Sequence, residues 1–392
     1  VSTLTAIHGT IFAGKFGVNA ILPVKKFKRV AAVLSRKRCA ATPQPILESA
    51  GPMHSPFPTK KRNFAFARLA MAGTLFLTGL AAAAEFGPVV APRPIGELVP
   101  QATLHLGKTA DWVVVTPDAV WVGSTGPNAV HRIDPKRNTL VATVKLGGEP
   151  CAGMTAGSNS LWVPLCGTPP TLARVDLKSN ALTAVFQVGP AAAEGGIAAS
   201  ADSIWMVLDK DGKLARIDPE SGVVKQIVRV PSGSYNPLYR DGSVWVTRAD
   251  GTGITRVDAS KGEIRSSIPT GPGPRFLAGG DGKIWTLNQG DGSLTRIDTQ
   301  GDKATKTIAL GTPGHGGDIA VGAGMVWTTM PKVPLSAVDA ATGEVKCQWV
   351  GPGGDSLGIG HGAIWLTDYN AGNVSRIDLD DAKARCSQKP VS

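Results

Sequence analysis

Residues 245–274 read WVTRADGTGITRVDASKGEIRSSIPTGPGP. Short runs rich in β-branched residues are separated by Asp-Gly, Lys-Gly and Pro-Thr-Gly turns, the pattern of successive antiparallel strands rather than of a helix. The unit recurs seven times. Trp121, Trp162, Trp205, Trp245, Trp285, Trp327 and Trp365 stand at spacings of 41, 43, 40, 40, 42 and 38 residues, inside AVWVG, SLWVP, SIWMV, SVWVT, KIWTL, MVWTT and AIWLT. Twelve to fourteen residues after each comes an aspartate: Asp134, Asp176, Asp218, Asp258, Asp298, Asp339 and Asp378.

One repeat reads as a small-residue strand such as GIAAS (196–200), the Trp strand, a strand ending Arg-Ile-Asp, and an alternating strand such as LVATVKL (140–146). Four strands in roughly 40 residues cannot bury both faces of their own sheet and must stack on neighbours, as propeller blades do. The sequence predicts an all-β, seven-bladed β-propeller over residues 101–379, with tryptophans filling the space between blades. The aspartates top turns such as DPKRN, DPESG and DAATG, where a carboxylate bonds nearby backbone N–H groups. Sevenfold repetition is what packing requires, whereas no catalytic group is needed seven times. An arginine stands two residues before the aspartate in six copies, with Ala337 in the sixth, and reads as a residue pairing on the blade surface. ATLHLG (102–107) matches a fourth strand yet precedes the first tryptophan. It is expected to close the last blade and leave no open edge, with residues 380–392 as a tail.

These repeats resemble the YVTN or YncE-like propeller repeat, with Trp where that pattern often has Tyr, and are similar to the propellers grouped with virginiamycin B lyase. The resemblance covers 101–379 and implies the fold; propellers host too many activities for it to imply one function. For a lyase it would imply a magnesium site of histidine and glutamate in the channel. This chain has no Glu-x-His, and His361 precedes its tryptophan by only four residues, on a hairpin turn of the opposite face.

The 48 glycines and 29 prolines suit short strands and tight turns. The formal charge is +11, but twelve of the 41 Lys and Arg and one of the 30 Asp and Glu fall in residues 1–84, leaving 29 of each beyond. A balanced body has no basic footprint for nucleic acid. Lys60, Lys61, Arg62 and Arg68 precede an apolar run from Leu69 to Leu80 and then Ala81 to Ala84; residues 53–84 are therefore expected to be a signal peptide, too short in its apolar part to span a bilayer. Residues 1–52 are expected to be either a non-native extension upstream of a start at Met53 or a disordered basic tail. The mature protein is expected to be periplasmic or secreted, monomeric, and without a membrane span.

Loops entering the inner strands and loops leaving the Trp strands share one face and surround the central channel. Counting back from each tryptophan puts Asp111, Cys151, Glu194, Asn236, Arg275, His315 with Asp318, and Asp355 at the mouth. Counting forward adds Asp209, Arg248, Asp250, Asn288, Asp368, Tyr369 and Asn370. These positions break the repeat, so packing does not dictate them and a ligand could. His315 is the one histidine among them, and with Asp318 it is the candidate for acid–base catalysis; its flanking glycines equally suit a bare turn. No cofactor is expected, although the acids could hold a hard cation such as Ca²⁺ or Mg²⁺. No nucleophile elbow, phosphate loop or zinc spacing is present.

Four cysteines follow the leader. Cys151 and Cys166 flank the turn Gly157–Ser160 with a shared index sum of 317, which predicts that they face each other across a hairpin and form a disulfide. Cys347 and Cys386 are expected to pair, pinning the tail to the sixth blade. The expected function is binding or scaffolding in the cell envelope, with a protein, peptide or glycan recognised at the funnel. The alternative is a metal-dependent lyase-type enzyme using the funnel acids and His315.

Overall fold

A computed structural model describes residues 87–388 apart from Asp281. The expected extension (1–52) and signal peptide (53–84) lie outside the described residues. The chain forms seven antiparallel sheets, one per repeat. Blade 4 is typical, running Ser234–Arg240, Ser243–Arg248, Ile254–Asp258 and Glu263–Ile268 from the channel outward. The ring closes as its sequence predicts. Ala102–His105 pairs with Asn373–Asp378 as the outer strand of blade 7, with Ala102 opposite Arg376 and His105 opposite Asn373.

Each repeated tryptophan is almost completely buried against the next blade. Trp205 packs with Val244, Val246 and Val257 of blade 4, Trp245 with Ile284 and Ile297 of blade 5, and Trp365 returns to Val120, Val122 and Ile133 of blade 1. A flat indole at one position of a pleated strand fills the wedge between stacked sheets, so the repeat spacing is a packing constraint. The arginines do more than pair within a blade. Each stands opposite its tryptophan in register. The Arg216, Arg256, Arg296 and Arg376 guanidinium groups lie 4.8–5.9 Å from the indole centroids. Arg174, over the Phe186 ring, and Arg256 and Arg296 donate to Pro219 O, Thr299 O and Ala341 O of the following blade, at 2.8, 2.9 and 2.7 Å. They tie the seams as well as the surface.

The two ends of the described segment meet at blade 6 in a way the repeats do not encode. Arg93–Pro94 adds a fifth, parallel strand beside Val345–Val350. The region expected to be a bare tail is instead a helix, Leu379–Cys386, capped by Asp378, whose carboxylate accepts from Asp381 N at 2.9 Å. Leu98, Trp349, Leu379 and Ala382 share one core cluster. Buried Arg93 bonds Glu97 at 2.7 Å and Gln388 O at 2.9 Å, and Cys347–Cys386 joins strand to helix. Ordered structure therefore extends upstream of the 101–379 span that the repeats predict, with Leu98 and the Arg93–Pro94 strand packed on blade 6.

Cys151–Cys166 is present, with Cα atoms 5.7 Å apart, but in a different register from the one predicted. Thr155 opposite Trp162 and Gly157 opposite Ser160 keep the hairpin sum, whereas Glu149 faces Cys166 and Pro150 faces Leu165. The ladder slips by two residues. Cys151 N still donates to Pro164 O at 3.4 Å, but the chain then turns to the neighbouring loop, with Glu194 N donating to Cys151 O at 2.8 Å and Gly153 N to Gly195 O at 2.7 Å.

Candidate functional site

One end of the ring gathers carboxyl groups from four different blades. Asp111 sits at a bulge in the inner strand of blade 1, where Trp112 adopts a φ of 55°; it is 9% exposed, and its carboxylate accepts from Trp112 N at 2.7 Å. Glu194 lies on the loop before Ile197–Ala199, held by the backbone bond to Cys151. Asp318 begins the inner strand of blade 6. Asp355 precedes that of blade 7.

Burial and crowding push these acids up. Asp111 is raised well above the usual carboxylate range, first by burial and then by the charges of Asp355, Glu194 and Asp318. Glu194 is raised by burial and by Asp355, with Arg275 opposing. Asp355 is raised by burial, against a bond from the Gly317 backbone. Asp318 keeps a sliver of exposure to the channel, yet loss of hydration lifts it to about 6 although Ser356 Oγ, Ile319 N and Leu357 N all donate to it, at 2.8, 2.8 and 3.2 Å. Among the described residues, none of these four acids belongs to an ion pair. Nor does Arg275, whose guanidinium lies 3.5 Å above the Tyr235 ring centroid while the Tyr235 hydroxyl donates to Ala193 O.

A cavity of about 300 Å³ is lined by Glu194, Arg275, Gln289, His315, Gly316, Asp355 and Tyr369. It adjoins three others through shared residues. Gln289 and His315 lead towards Ala249 and Gly273, Asp355 and Tyr369 towards Asp368 and Asn370, and Glu194 and Tyr369 towards Asp111, Glu149 and Cys151. The mouth is a branched groove crossing most of the ring. Gly317, at a φ of 85°, brings the chain so close to blade 6 that a Cβ there would lie 2.1 Å from Thr329 O, so no other residue could turn the backbone in front of Asp318.

The structure thus brings Asp111, Glu194, Arg275, His315, Asp355, Asp368, Tyr369 and Asn370 together at the mouth, with Asp318 and Asn236 in the channel wall. The remaining candidates serve elsewhere. Asn288 is fully buried and spends its amide on Ser293 and Thr295, so it does not face the funnel. Asp209 caps its own turn by accepting from Asp211 N and Lys213 N and pairs with Lys213 at 2.6 Å. Exposed Arg248 pairs with Asp250 at 3.3 Å. His315 is exposed, beside Gln289, whose amide donates to Gly316 O at 2.9 Å. His361 bonds Thr116 O at 2.8 Å, outside the groove. His131, a residue to which the repeat count assigns no role, lies inside blade 1 between Ser124 Oγ and Thr143 Oγ1 and is lowered by burial to about 4. Among the described residues no three His, Cys, Asp or Glu side chains converge as metal ligands.

Trp112, Tyr235 and Gln289 escaped the sequence reading. Trp112 and Tyr235 adjoin candidates, but inner-strand bulges reverse the side chains at those points, and counting from the tryptophan assumes no bulge.

No family model and no curated protein matches the sequence. Among solved structures, the chain is similar to one titled "The crystal structure of BamB from Moraxella catarrhalis", with 11% identity over 72% of this chain and 99% of that one, at a TM-score of 0.52. At that identity the likeness is one of fold, and it supports what the sheets already display: this chain is a seven-bladed β-propeller.

Proposed function

We propose that the chain is an exported propeller of the cell envelope that binds a partner protein, peptide or glycan in its funnel and acts as a binding or scaffold protein. One observation carries this reading: acids raised by burial and an arginine outside any ion pair among the described residues are concentrated in a groove at one end of the ring, whereas the repeated turn acids are lowered by their hydrogen bonds. Groups so placed are disfavoured in the free protein and are explained by an occupant. The leader-like residues 53–84 and the YVTN-like repeats agree with export, and two disulfides fit an oxidising compartment. No described helix is long and apolar enough to cross a membrane. An acidic mouth also disfavours nucleic acid.

Nothing observed favours the lyase alternative. The described residues offer no convergent metal ligands, and His315 lies in a glycine-rich turn with no partner to orient it. The test is capture from envelope extract by immobilised protein and by a Glu194→Gln/Arg275→Ala variant. A partner retained by the first and lost by the second is expected; identical capture by both overturns the funnel as the binding site.

A further inference from the structure

One to three residues deeper along the inner strands, the channel holds a cavity of about 350 Å³. Most of the side chains around it are apolar, with Val113, Met154, Ile197, Phe276, Ile319 and Leu357 from six blades, while polar atoms make up about half of its wall. Five polar side chains interrupt the apolar ones: Asp318, Ser356, Asn236, Thr155 and Trp112. Asn236 is 6% exposed and Trp112 7% exposed, yet Asn236 Oδ1 and Trp112 Nε1 have no hydrogen-bond partner among the described residues. The amide orientation of Asn236 is set by its other end, since Nδ2 donates to Arg275 O at 2.7 Å. The oxygen is therefore the free atom. Gly196 packs directly against it, as a Cβ there would lie 2.8 Å from Oδ1. A buried acceptor without a donor is costly, and here it shares a cavity with a carboxylate that still has lone pairs to offer.

A channel walled largely by apolar side chains, with an acceptor and a carboxylate among them and the mouth acids one residue away along the chain at Asp111, Glu194 and Asp355, is complementary to a cation on an aliphatic stem. Lysine and arginine have that construction, with methylenes that pack on apolar surface and a head rich in donors. A bare metal ion would find neither the converging oxygens nor a use for the apolar walls. The branched groove above suits an extended chain crossing the mouth, and the unpaired Arg275 stands where it can donate to a main-chain carbonyl.

Resting on the funnel as the binding site, we propose that its occupant is a peptide segment presenting a lysine or arginine side chain, whose cationic head passes the mouth acids and sits against Asp318 and Asn236 Oδ1. The stem lies along Met154, Phe276 and Leu357. Asp318 faces that head in the channel; Asp111, Glu149, Glu194, Asp355, Asp368 and Tyr369 stand at the mouth above it, opposed there by Arg275 and His315. Since the acids must be ionised to attract it, affinity falls as the pH drops below about 6.

The probes are fluorescent Gly/Ser octapeptides with one central lysine, arginine, norleucine or glutamate, titrated onto the folded protein. The lysine and arginine peptides should bind at least about tenfold more tightly than norleucine, which keeps the stem and lacks the charge. Asp318→Asn should erase that preference while leaving norleucine binding unchanged, a comparison that a misfolded variant would fail visibly. Equal binding of lysine and norleucine, or a lysine preference that survives Asp318→Asn, overturns the proposal. Should basic peptides not bind although envelope capture remains sensitive to Glu194→Gln/Arg275→Ala, only the basic occupant falls; if capture is also insensitive, the funnel reading falls with it.

Discussion

The two ends of this ring use the same residue type in opposite ways. On one end, six of the repeated aspartates sit in turns saturated with donors: Asp218 accepts from Glu220 N, Ser221 N and Ser221 Oγ, and Asp339 from Ala341 N, Thr342 N and Thr342 Oγ1. Hydrogen bonds hold these carboxyls below their ordinary value. On the other end, Asp111, Glu194, Asp318 and Asp355 are driven up by burial and by neighbouring acids, Asp368 in the case of Asp355. The turn acids stabilise the fold. The mouth acids work against it, and a difference of that kind separates residues selected for folding from residues retained for another purpose.

Four substitutions test this contrast. Both ends depend on the blades remaining stacked, so Trp205→Ala, which empties the wedge between blades 3 and 4, should have the largest effect, a loss of about 3–5 kcal/mol by urea denaturation. A loss below about 1 kcal/mol would mean that the ring is not held by its tryptophans.

Next in size is Asp318→Asn. The folded value of about 6 lies above the ordinary 3.8, so ionisation of Asp318 costs nothing below pH 3.8, costs progressively more through pH 6, and costs its full amount above. The variant should gain about 2 kcal/mol at pH 8 and almost nothing at pH 4, a figure reduced from the full shift for the residual exposure and the retained hydrogen bonds. Denaturation at the two pH values, against wild type so that His131 cancels, would show it; equal stability at pH 8 would remove the claim that the mouth is strained.

Asp339→Ala tests the other end and should have the opposite pH dependence. A depressed folded value contributes stability above the unfolded value of 3.8 that is lost as pH falls through the folded one. A cost of about 1 kcal/mol at pH 7 that shrinks towards pH 3 is expected, measured by the same denaturation series. The smallest effect is an indirect one. Asp355→Asn should lower the titration midpoint of Asp318, followed by carboxyl carbon NMR, because Asp355 is one of the charges raising it; an unchanged midpoint would mean that the mouth acids do not sense each other.

Much of this was legible in the one-dimensional pattern. Seven tryptophans at near-constant spacing, seven aspartates in phase with them and a stray outer strand before the first repeat determined the blade count, the closure and the face on which Asp111, Glu194, Arg275 and Asp355 converge, because a stacked array must repeat what its packing repeats. The tertiary structure alone decided the departures from the array. Bulges at Asp111, at Ser234–Pro237 and in residues 151–154 set Trp112, Tyr235 and the disulfide register. The helix Leu379–Cys386 and the strand Arg93–Pro94 found their places on blade 6, and Asn288 turned inward to bond Ser293 and Thr295. Periodicity reports the interactions that every blade must satisfy. Which unpaired atoms remain once all blades are assembled depends on neighbours distant in sequence, and no count along the chain contains them.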